Sequence, residues 1–150
     1  MVTPRQATSS DLESALYLLE RFFAEEGFQV PPAQMRTRLA KMLKDDGSAV
    51  FLAWLGDEAV GVATVTTSSG IELGLSAELE DLYVLPKARR SGVGNALIAA
   101  IKDWCRAQGC ALVSVVVTSE GQAAHDLIEY YDRAGFKETG RTLLFARLDG

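Results

Sequence analysis

A basic turn that contains two glycines occupies residues 86–97, which read PKARRSGVGNAL. Its cations are Lys87, Arg89 and Arg90. Gly92 and Gly94 follow them, at the start of a helix-like segment. The first amides of a helix have no acceptor within it, and the helix dipole favours an anion at that end. Because arginine side chains also pair with phosphate oxygens, the turn predicts a phosphate-binding site.

Two well-known phosphate loops do not fit these residues. A dinucleotide fingerprint G-x-G-x-x-G would require a glycine at position 97, where the sequence has Leu97, and the G-K-[ST] of a P-loop is absent. The pattern that remains is R-x-x-G-x-G, formed by Arg89, Gly92 and Gly94. The alternative interpretation is a solvated basic turn with a glycine at the start of a helix.

The segments around this turn alternate between strand-like and helix-like patterns. Strands are predicted at residues 2–7, 50–55, 59–67, 77–85, 112–117 and 142–148. Helices are predicted at residues 10–26, 31–44, 94–108 and 122–134. The order indicates a mixed α/β or α+β fold, with an antiparallel first half and a crossover in the second half. The β-branched run at 112–117 suggests a strand buried on both faces.

Length and composition describe a single domain over residues 1–150, with a net charge of -5. This charge argues against a general nucleic-acid binder, which needs cations to neutralise phosphates, and suits a cationic or neutral substrate. Cys105 and Cys110 give no disulfide framework, and a single His125 excludes a multi-histidine metal site. We therefore expect a cytoplasmic protein without a signal peptide, a membrane span or a metal.

Two stretches resemble conserved motifs of the GCN5-related N-acetyltransferase (GNAT) superfamily. LEDLYVLPKARRSGVGNALI resembles motif A, whose R/Q-x-x-G-x-G/A binds the pyrophosphate of acetyl-CoA, and YYDRAGF at 130–136 is similar to the family's F-Y-x-x-x-G-F segment. The resemblance implies the GNAT fold: a central mixed sheet of six to seven strands flanked by about four helices. It also implies that the fourth and fifth strands separate after a bulge, with the pantetheine arm between them.

The resemblance implies which residues hold acetyl-CoA. The backbone near Leu82, Tyr83 and Val84 would bind the pantetheine and the acetyl carbonyl. The phosphates would be bound by the cations Arg89 and Arg90 and by the amides of Ser91, Gly92, Val93, Gly94 and Asn95. The family's coenzyme-contacting asparagine is replaced by Ala124, so the local pantetheine contacts differ from the common pattern.

Acetyl transfer to an amine requires a base for the ammonium proton and an acid for the departing thiolate. Glu80 and Asp81 are adjacent on a predicted strand, so we expect them to face opposite sides of the sheet. "LEDLYV" resembles the strand of diamine and polyamine acetyltransferases that carries a glutamate base, which favours Glu80 over Asp81. The resemblance of YYDRAGF to the F-Y-x-x-x-G-F segment implies that Tyr131 is the acid and that Tyr130, in the Phe position, is a core residue. The alternatives are ordinary strand charges and a core-packing Tyr131.

The acceptor is predicted only as a class. Acidic residues occur in segments that border the acceptor cleft of this fold: Glu25, Glu26, Asp45, Asp46, Glu72, Glu78, Glu80 and Asp81. They favour a small polycationic amine such as a diamine, a polyamine or an aminoglycoside. A protein or peptide acceptor, a non-catalytic acyl-CoA-binding module and a small interaction protein remain alternatives. Relatives commonly form homodimers, and the same is expected here.

Overall fold

The central sheet of this fold has five strands in a computed structural model that describes residues 2–150. The strands are β1 (Arg5–Gln6), β2 (Ser48–Leu55), β3 (Glu58–Gly70), β4 (Gly74–Val84) and β5 (Val113–Val115). They lie side by side in chain order. The first four are antiparallel neighbours, whereas β5 runs parallel to β4. The antiparallel half and the later crossover agree with the predicted element order.

Five helices complete the fold. They are α1 (Leu12–Glu26), α2 (Pro32–Lys44), α3 (Val93–Gln108), α4 (Ser119–His125) and α5 (Leu127–Arg133). Gly27 and Gly109 end α1 and α3 in the left-handed conformation, which glycine adopts without strain. None of the helices within residues 2–150 is long and apolar enough to span a bilayer.

The two faces of the sheet are covered by different helices. A Cβ added to Gly61 of β3 would lie 2.9 Å from Val93 and 3.0 Å from Leu97, both of α3. Tyr83 of β4 instead packs on α1, with its ring centroid 5.6 Å from that of Phe22. Side chains alternate along a strand, and Tyr83 pairs with Val62, so even-numbered β3 residues from 62 to 66 face α1.

The sheet has fewer strands than the six to seven expected. Residues 142–148, predicted as the last strand, form no strand, and every residue from 137 to 150 is exposed. The alternation of apolar residues in this segment satisfies the local requirement of a strand, but a strand also needs a partner edge. Within the described chain, no such edge pairs with it.

Strand β5 also differs from its prediction. It spans Val113–Val115, shorter than 112–117, and alternate residues of the run are exposed: Leu112, Ser114 and Val116. The expected burial on both faces is therefore wrong for this chain. Val113, Val115 and Val117 pack against the core, so this run buries one face only.

The helix predicted at residues 122–134 is interrupted. Asp126 adopts a left-handed conformation (φ 49°), which no α-helix can continue, and so α4 ends there and α5 begins. The Gln122 side chain covers this break: its Nε2 donates to Asp126 Oδ1 (2.9 Å), and its Oε1 accepts from the Ile128 amide (2.7 Å).

Candidate active site

A β-bulge in β4 brings the predicted carboxylates together. Thr64 pairs with Asp81 and Val65 pairs with Leu79, so Glu80 is the extra residue opposite β3. An extra residue reverses the alternation of side chains beyond it. Leu79 is thus directed with Val65 towards α3, whereas Asp81 is directed with Thr64 towards α1. Without the bulge Asp81 would face the core beneath α3.

Both carboxylates accept hydrogen bonds from threonines of β3. Thr64 Oγ1 donates to Asp81 Oδ2 and Thr66 Oγ1 donates to Glu80 Oε2, each at 2.5 Å. The two threonines are two positions apart, so they lie on the same face of β3. Glu80 and Asp81 therefore share the α1 face, and the expectation that they face opposite sides is wrong. The bulge is the physical reason.

Glu78 completes an acidic cluster with Glu80 and Asp81 on this face. Burial raises the pKa of Asp81 to about 6, with smaller contributions from Glu80 and Glu78, while the Thr64 hydrogen bond opposes the rise. Burial, and then the charge of Glu80, also raise the pKa of Glu78. Carboxylates that stay close together despite this cost are typical of sites that bind or deprotonate a cation.

Tyr131 lies close to this cluster. Its ring packs edge-on against Phe136 (5.5 Å between centroids) and Tyr130 (5.2 Å), and the residue is 8% exposed. Its hydroxyl has no hydrogen-bond partner within residues 2–150, yet the oxygen still reaches solvent. Burial raises the pKa of Tyr131 strongly, and the charges of Tyr130 and Asp81 add to this effect. The phenol therefore stays protonated at neutral pH, as a proton donor requires.

A gap opens between β4 and β5 beside these side chains. The two strands pair only from Ala77 with Val113 to Leu79 with Val115. From Glu80 onwards no strand within residues 2–150 pairs with β4 on that side, although β4 continues to Val84. The backbone of residues 82–84 thus has a free edge, which can pair with an extended ligand as it would with another strand.

The glycine turn leads from this gap into α3. The first helical bond runs from the Ala96 amide to the Gly92 carbonyl (3.0 Å), and no amide from 91 to 95 has an acceptor within residues 2–150. Gly92 has φ 85°, so a side chain here would be strained. These free amides at the start of a helix form an anion-binding site.

Arg89 is exposed, but its side chain folds back onto the protein and makes three contacts there. Its Nε donates to the Val84 carbonyl (2.8 Å), its Nη2 donates to Glu25 Oε1 (3.1 Å), and its guanidinium lies 5.5 Å from the Tyr83 ring centroid. Tyr83 also donates its hydroxyl to Glu25. Arg89 therefore supports the turn and ties it to α1, and its expected phosphate contact stays a prediction.

The remaining polar residues of the turn have different positions. Arg90 is exposed and has φ 63°, which is uncommon for a side chain of this size. Ser91 donates its hydroxyl to the Ala88 carbonyl (2.5 Å) and leaves its amide free. Asn95 lies in the first turn of α3. Lys87 and Arg89 pair with glutamates, so Arg90 is the cation of the turn that has no acidic partner within residues 2–150.

Sequence reasoning missed several residues of the site. Tyr130, expected in the core, is half-buried, and its hydroxyl would lie 2.5 Å from a Cβ added to Gly94. Thr64 and Thr66 orient the carboxylates, but nothing in the sequence distinguishes them from other threonines of a strand. Glu25 was counted only as an acidic residue, because its contact with Arg89 joins segments far apart in the chain.

Other acidic residues do not join the cluster. Asp45 accepts from the Gly47 amide and the Ser48 hydroxyl and so stabilises a turn. Glu72 pairs with Arg141 at 2.6 Å. Glu26 lies 3.6 Å from His125 and so links the end of α1 to α4.

Comparisons with known proteins agree on one family. A family model described as "Acetyltransferase (GNAT) family" matches residues 13–136. An aminoglycoside N(6')-acetyltransferase type 1 from Stenotrophomonas maltophilia is 39% identical over 115 residues, covering 71% of this chain and 71% of that protein.

Solved structures share the fold. An integron cassette protein from the mobile metagenome of Cole Harbour Salt Marsh is 29% identical, with a TM-score of 0.85 over 99% of this chain and 91% of its own. The aminoglycoside acetyltransferase AAC(6')-Iy, solved with the bisubstrate analogue CoA-S-monomethyl-acetylneamine, is 24% identical, with a TM-score of 0.84 over 99% of each chain.

Proposed function

The chain belongs to the acetyltransferase (GNAT) family, and from that premise we propose that it acetylates a primary amine of an aminoglycoside-like amino sugar, with acetyl-CoA as donor. The observation that carries the acceptor class is the cluster of Glu78, Glu80 and Asp81 on the α1 face beside the gap between β4 and β5. Three carboxylates on one face attract a polycation at neutral pH. A relative at 39% identity is named for an aminoglycoside substrate, which favours an amino sugar over a polyamine.

The residues present fit the coenzyme. The free amides of residues 91–95 suit its diphosphate, and the unpaired edge of β4 at 82–84 suits the amide groups of its pantetheine arm. Bound there, acetyl-CoA supplies an acetyl thioester as the donor. Arg90 adds a free cation beside the diphosphate amides, while Arg89 keeps the turn in place through Glu25 and the Val84 carbonyl.

We assign the proton acceptor to Glu80. Its carboxylate is exposed at the bulge, where β4 leaves β5, so an amine that enters from solvent reaches it first. Thr66 holds one carboxylate oxygen of Glu80 and leaves the other for the ammonium. Asp81 is more buried than Glu80 and accepts a hydrogen bond from Thr64. Its carboxyl group ionises near pH 6 and then adds to the negative charge around the acceptor.

Tyr131 is the proposed acid. Its hydroxyl has no hydrogen-bond partner within residues 2–150 and still reaches solvent, and the phenol is protonated at neutral pH. With acetyl-CoA bound in the gap, the Tyr131 hydroxyl would donate its proton to the departing thiolate. The edge-on contacts with Tyr130 and Phe136 fix the ring and thus the direction of its hydroxyl.

The experiment that tests the proposal is thiol release from acetyl-CoA with a panel of aminoglycosides, polyamines, free lysine and peptides. We expect the highest kcat/KM with an aminoglycoside. A polyamine or a peptide with a higher value would replace the acceptor class. Coenzyme binding without thiol release for any amine would indicate a non-catalytic acyl-CoA-binding module and would contradict the enzymatic proposal.

A further inference from the structure

Helix α3 ends in a tight turn that joins the two cysteines of the chain. The Gly109 amide donates to the Arg106 carbonyl (3.1 Å), and the Cys110 amide donates to the Cys105 carbonyl (2.9 Å). With Gly109 in the left-handed conformation (φ 86°), these two bonds form a Schellman motif. In this motif the side chains at the two ends of the longer bond commonly touch. Here they are the thiols of Cys105 and Cys110.

The end of α1 shows how such a bond places side chains. Gly27 has φ 77°, and the Phe28 amide donates to the Phe23 carbonyl (2.9 Å). The rings of Phe23 and Phe28 are in edge-on contact, with 5.4 Å between their centroids. Cys105 and Cys110 occupy the same two positions at the end of α3. Their side chains are therefore directed to the same side of the turn.

The two thiols differ in their environment. Both are free, but Cys105 is 4% exposed and belongs to the core, whereas Cys110 is half-buried and borders it. Burial, and then the neighbouring Cys110 thiol, raise the pKa of Cys105 to about 11. Because a reagent in solution reaches an accessible thiolate first, Cys110 is the first thiol to react.

We propose that Cys105 and Cys110 form a reversible disulfide, which makes the end of α3 a site of redox modification. The oxidant is a low-molecular-weight disulfide such as glutathione disulfide. The Cys110 thiolate attacks one sulfur of this disulfide, breaks its S–S bond and releases one thiolate. Cys105 then loses its proton, attacks the Cys110 sulfur and releases the second thiolate. Two protein thiols are oxidised, one small disulfide is reduced to two thiols, and these carry the two protons.

The bond fits the backbone at this turn. A disulfide needs Cα atoms about 4.4–6.8 Å apart, and the hydrogen bond between the two residues keeps their backbones close. Directly after Cys110, the Ala111 amide donates to the Leu75 carbonyl (2.8 Å) on the way into β5. The disulfide would therefore fix the end of α3 to the start of the strand that borders the gap. This inference does not depend on the proposed acetyl transfer.

Intact-mass measurement of native protein equilibrated with glutathione disulfide, and then alkylated in denaturant, tests the pair. Wild type should be about 2 Da lighter than reduced protein and should take up no alkylating reagent, and dithiothreitol should restore both thiols. Cys105→Ala should keep a glutathione adduct of about 305 Da on Cys110, because no second thiol displaces it. Cys110→Ala should gain no adduct, since the remaining thiol of Cys105 is buried.

Gly109→Ala tests whether the turn positions the thiols. A Cβ there meets nothing within 4 Å, but φ is +86°, so the change strains the turn alone. The reduced protein can relax from this strain, whereas the disulfide has to keep the turn. The equilibrium constant for oxidation by glutathione disulfide should therefore fall at least about fivefold. Gly27→Ala, at the matching position of α1 (φ +77°, nothing within 4 Å), is the control and should leave the constant within about twofold.

Three results would overturn the inference. Wild-type protein that stays reduced, or that keeps glutathione on Cys110, has thiols that do not meet. An oxidation constant no higher in native protein than in protein unfolded in guanidinium chloride means that the fold does not bring the thiols together. A Gly109→Ala constant equal to that of wild type means that the turn does not position them.

Discussion

The candidate site depends on single residues whose environments differ although they are neighbours in sequence. Glu80 is exposed at the bulge and takes a hydrogen bond from Thr66, whereas Asp81 is half-buried beside Thr64 and has a pKa of about 6. The sequence predicts which residues these are and that they are neighbours. It does not predict that their side chains share one face of the sheet, because this depends on the bulge, and nothing in LEDLYV indicates a bulge.

Glu80→Gln should lower kcat/KM for the best acceptor by about 10²- to 10³-fold, because a neutral amide cannot take the ammonium proton. The dissociation constant of acetyl-CoA should stay within about twofold, since Glu80 lies outside the turn that precedes α3. Thiol-release kinetics and calorimetric binding measure the two quantities. Glu138→Gln, an exposed glutamate of the segment after α5, is the control and should be neutral. Equal turnover in Glu80→Gln and wild type would remove Glu80 as the base.

Asp81→Asn should stabilise the protein at alkaline pH while lowering activity. A pKa raised from 3.8 to about 6 means that protonated Asp81 contributes stability that is complete below about pH 4 and lost as the pH rises through 6. Asparagine stays neutral, so the free energy of unfolding at pH 8 should rise by about 1–3 kcal/mol relative to wild type, and not at pH 3.5. Urea unfolding at both pH values measures this difference.

The same substitution should change the pH profile. In wild type kcat/KM should increase as the pH rises through about 6, when Asp81 becomes charged and attracts the cationic acceptor. In Asp81→Asn this inflection should be absent. A variant that is less stable than wild type at pH 8, or that keeps the inflection, contradicts the assigned environment of Asp81.

At the scale of elements, helix ends and the β4–α3 turn were predictable because their signals are local. Helical spacing and terminal glycines predicted α1 and α3 to within about two residues. The contacts that support the turn were not predictable, since Glu25 of α1 reaches Arg89 across 64 positions of sequence. The break at Asp126 was missed too, because it depends on the side chain of Gln122 covering a non-helical residue.

Gly94→Ala tests the packing of the turn against α5. The added Cβ would lie 2.5 Å from the Tyr130 hydroxyl, so either the helix start or Tyr130 must move. Coenzyme affinity should fall at least about tenfold, since a small displacement of helix-start amides weakens anion binding. Isothermal titration with CoA measures it.

A second substitution tests whether the contact with Tyr130, and not a general loss of stability, lowers the coenzyme affinity of Gly94→Ala. Tyr130→Phe removes the hydroxyl that the new Cβ meets, so the double variant with Gly94→Ala should regain most of the affinity. Gly70→Ala, where a Cβ meets nothing within 4 Å, is the matched control. Wild-type affinity in Gly94→Ala, or no recovery in the double variant, would show that Tyr130 does not set the position of this turn.

At the scale of the whole molecule, the parts of the site follow one another along the chain. The acidic cluster is on the α1 face of β4, the gap follows where β5 ends its pairing, and the free amides come at the start of α3. The net charge of -5 is consistent with a cationic acceptor, but it does not locate the cluster. The absence of the predicted last strand is also a property of the whole molecule, because residues 142–148 pair with no strand within residues 2–150.

We propose that the coenzyme binds between the separated strands and the start of α3. Titration of ¹⁵N-labelled protein with CoA, followed by amide chemical shifts, tests this placement. The largest shifts should occur at residues 91–95 and 82–84, whose amides are free or lie on the unpaired edge. Saturating CoA that leaves both groups unshifted, while other amides respond, would contradict the claim.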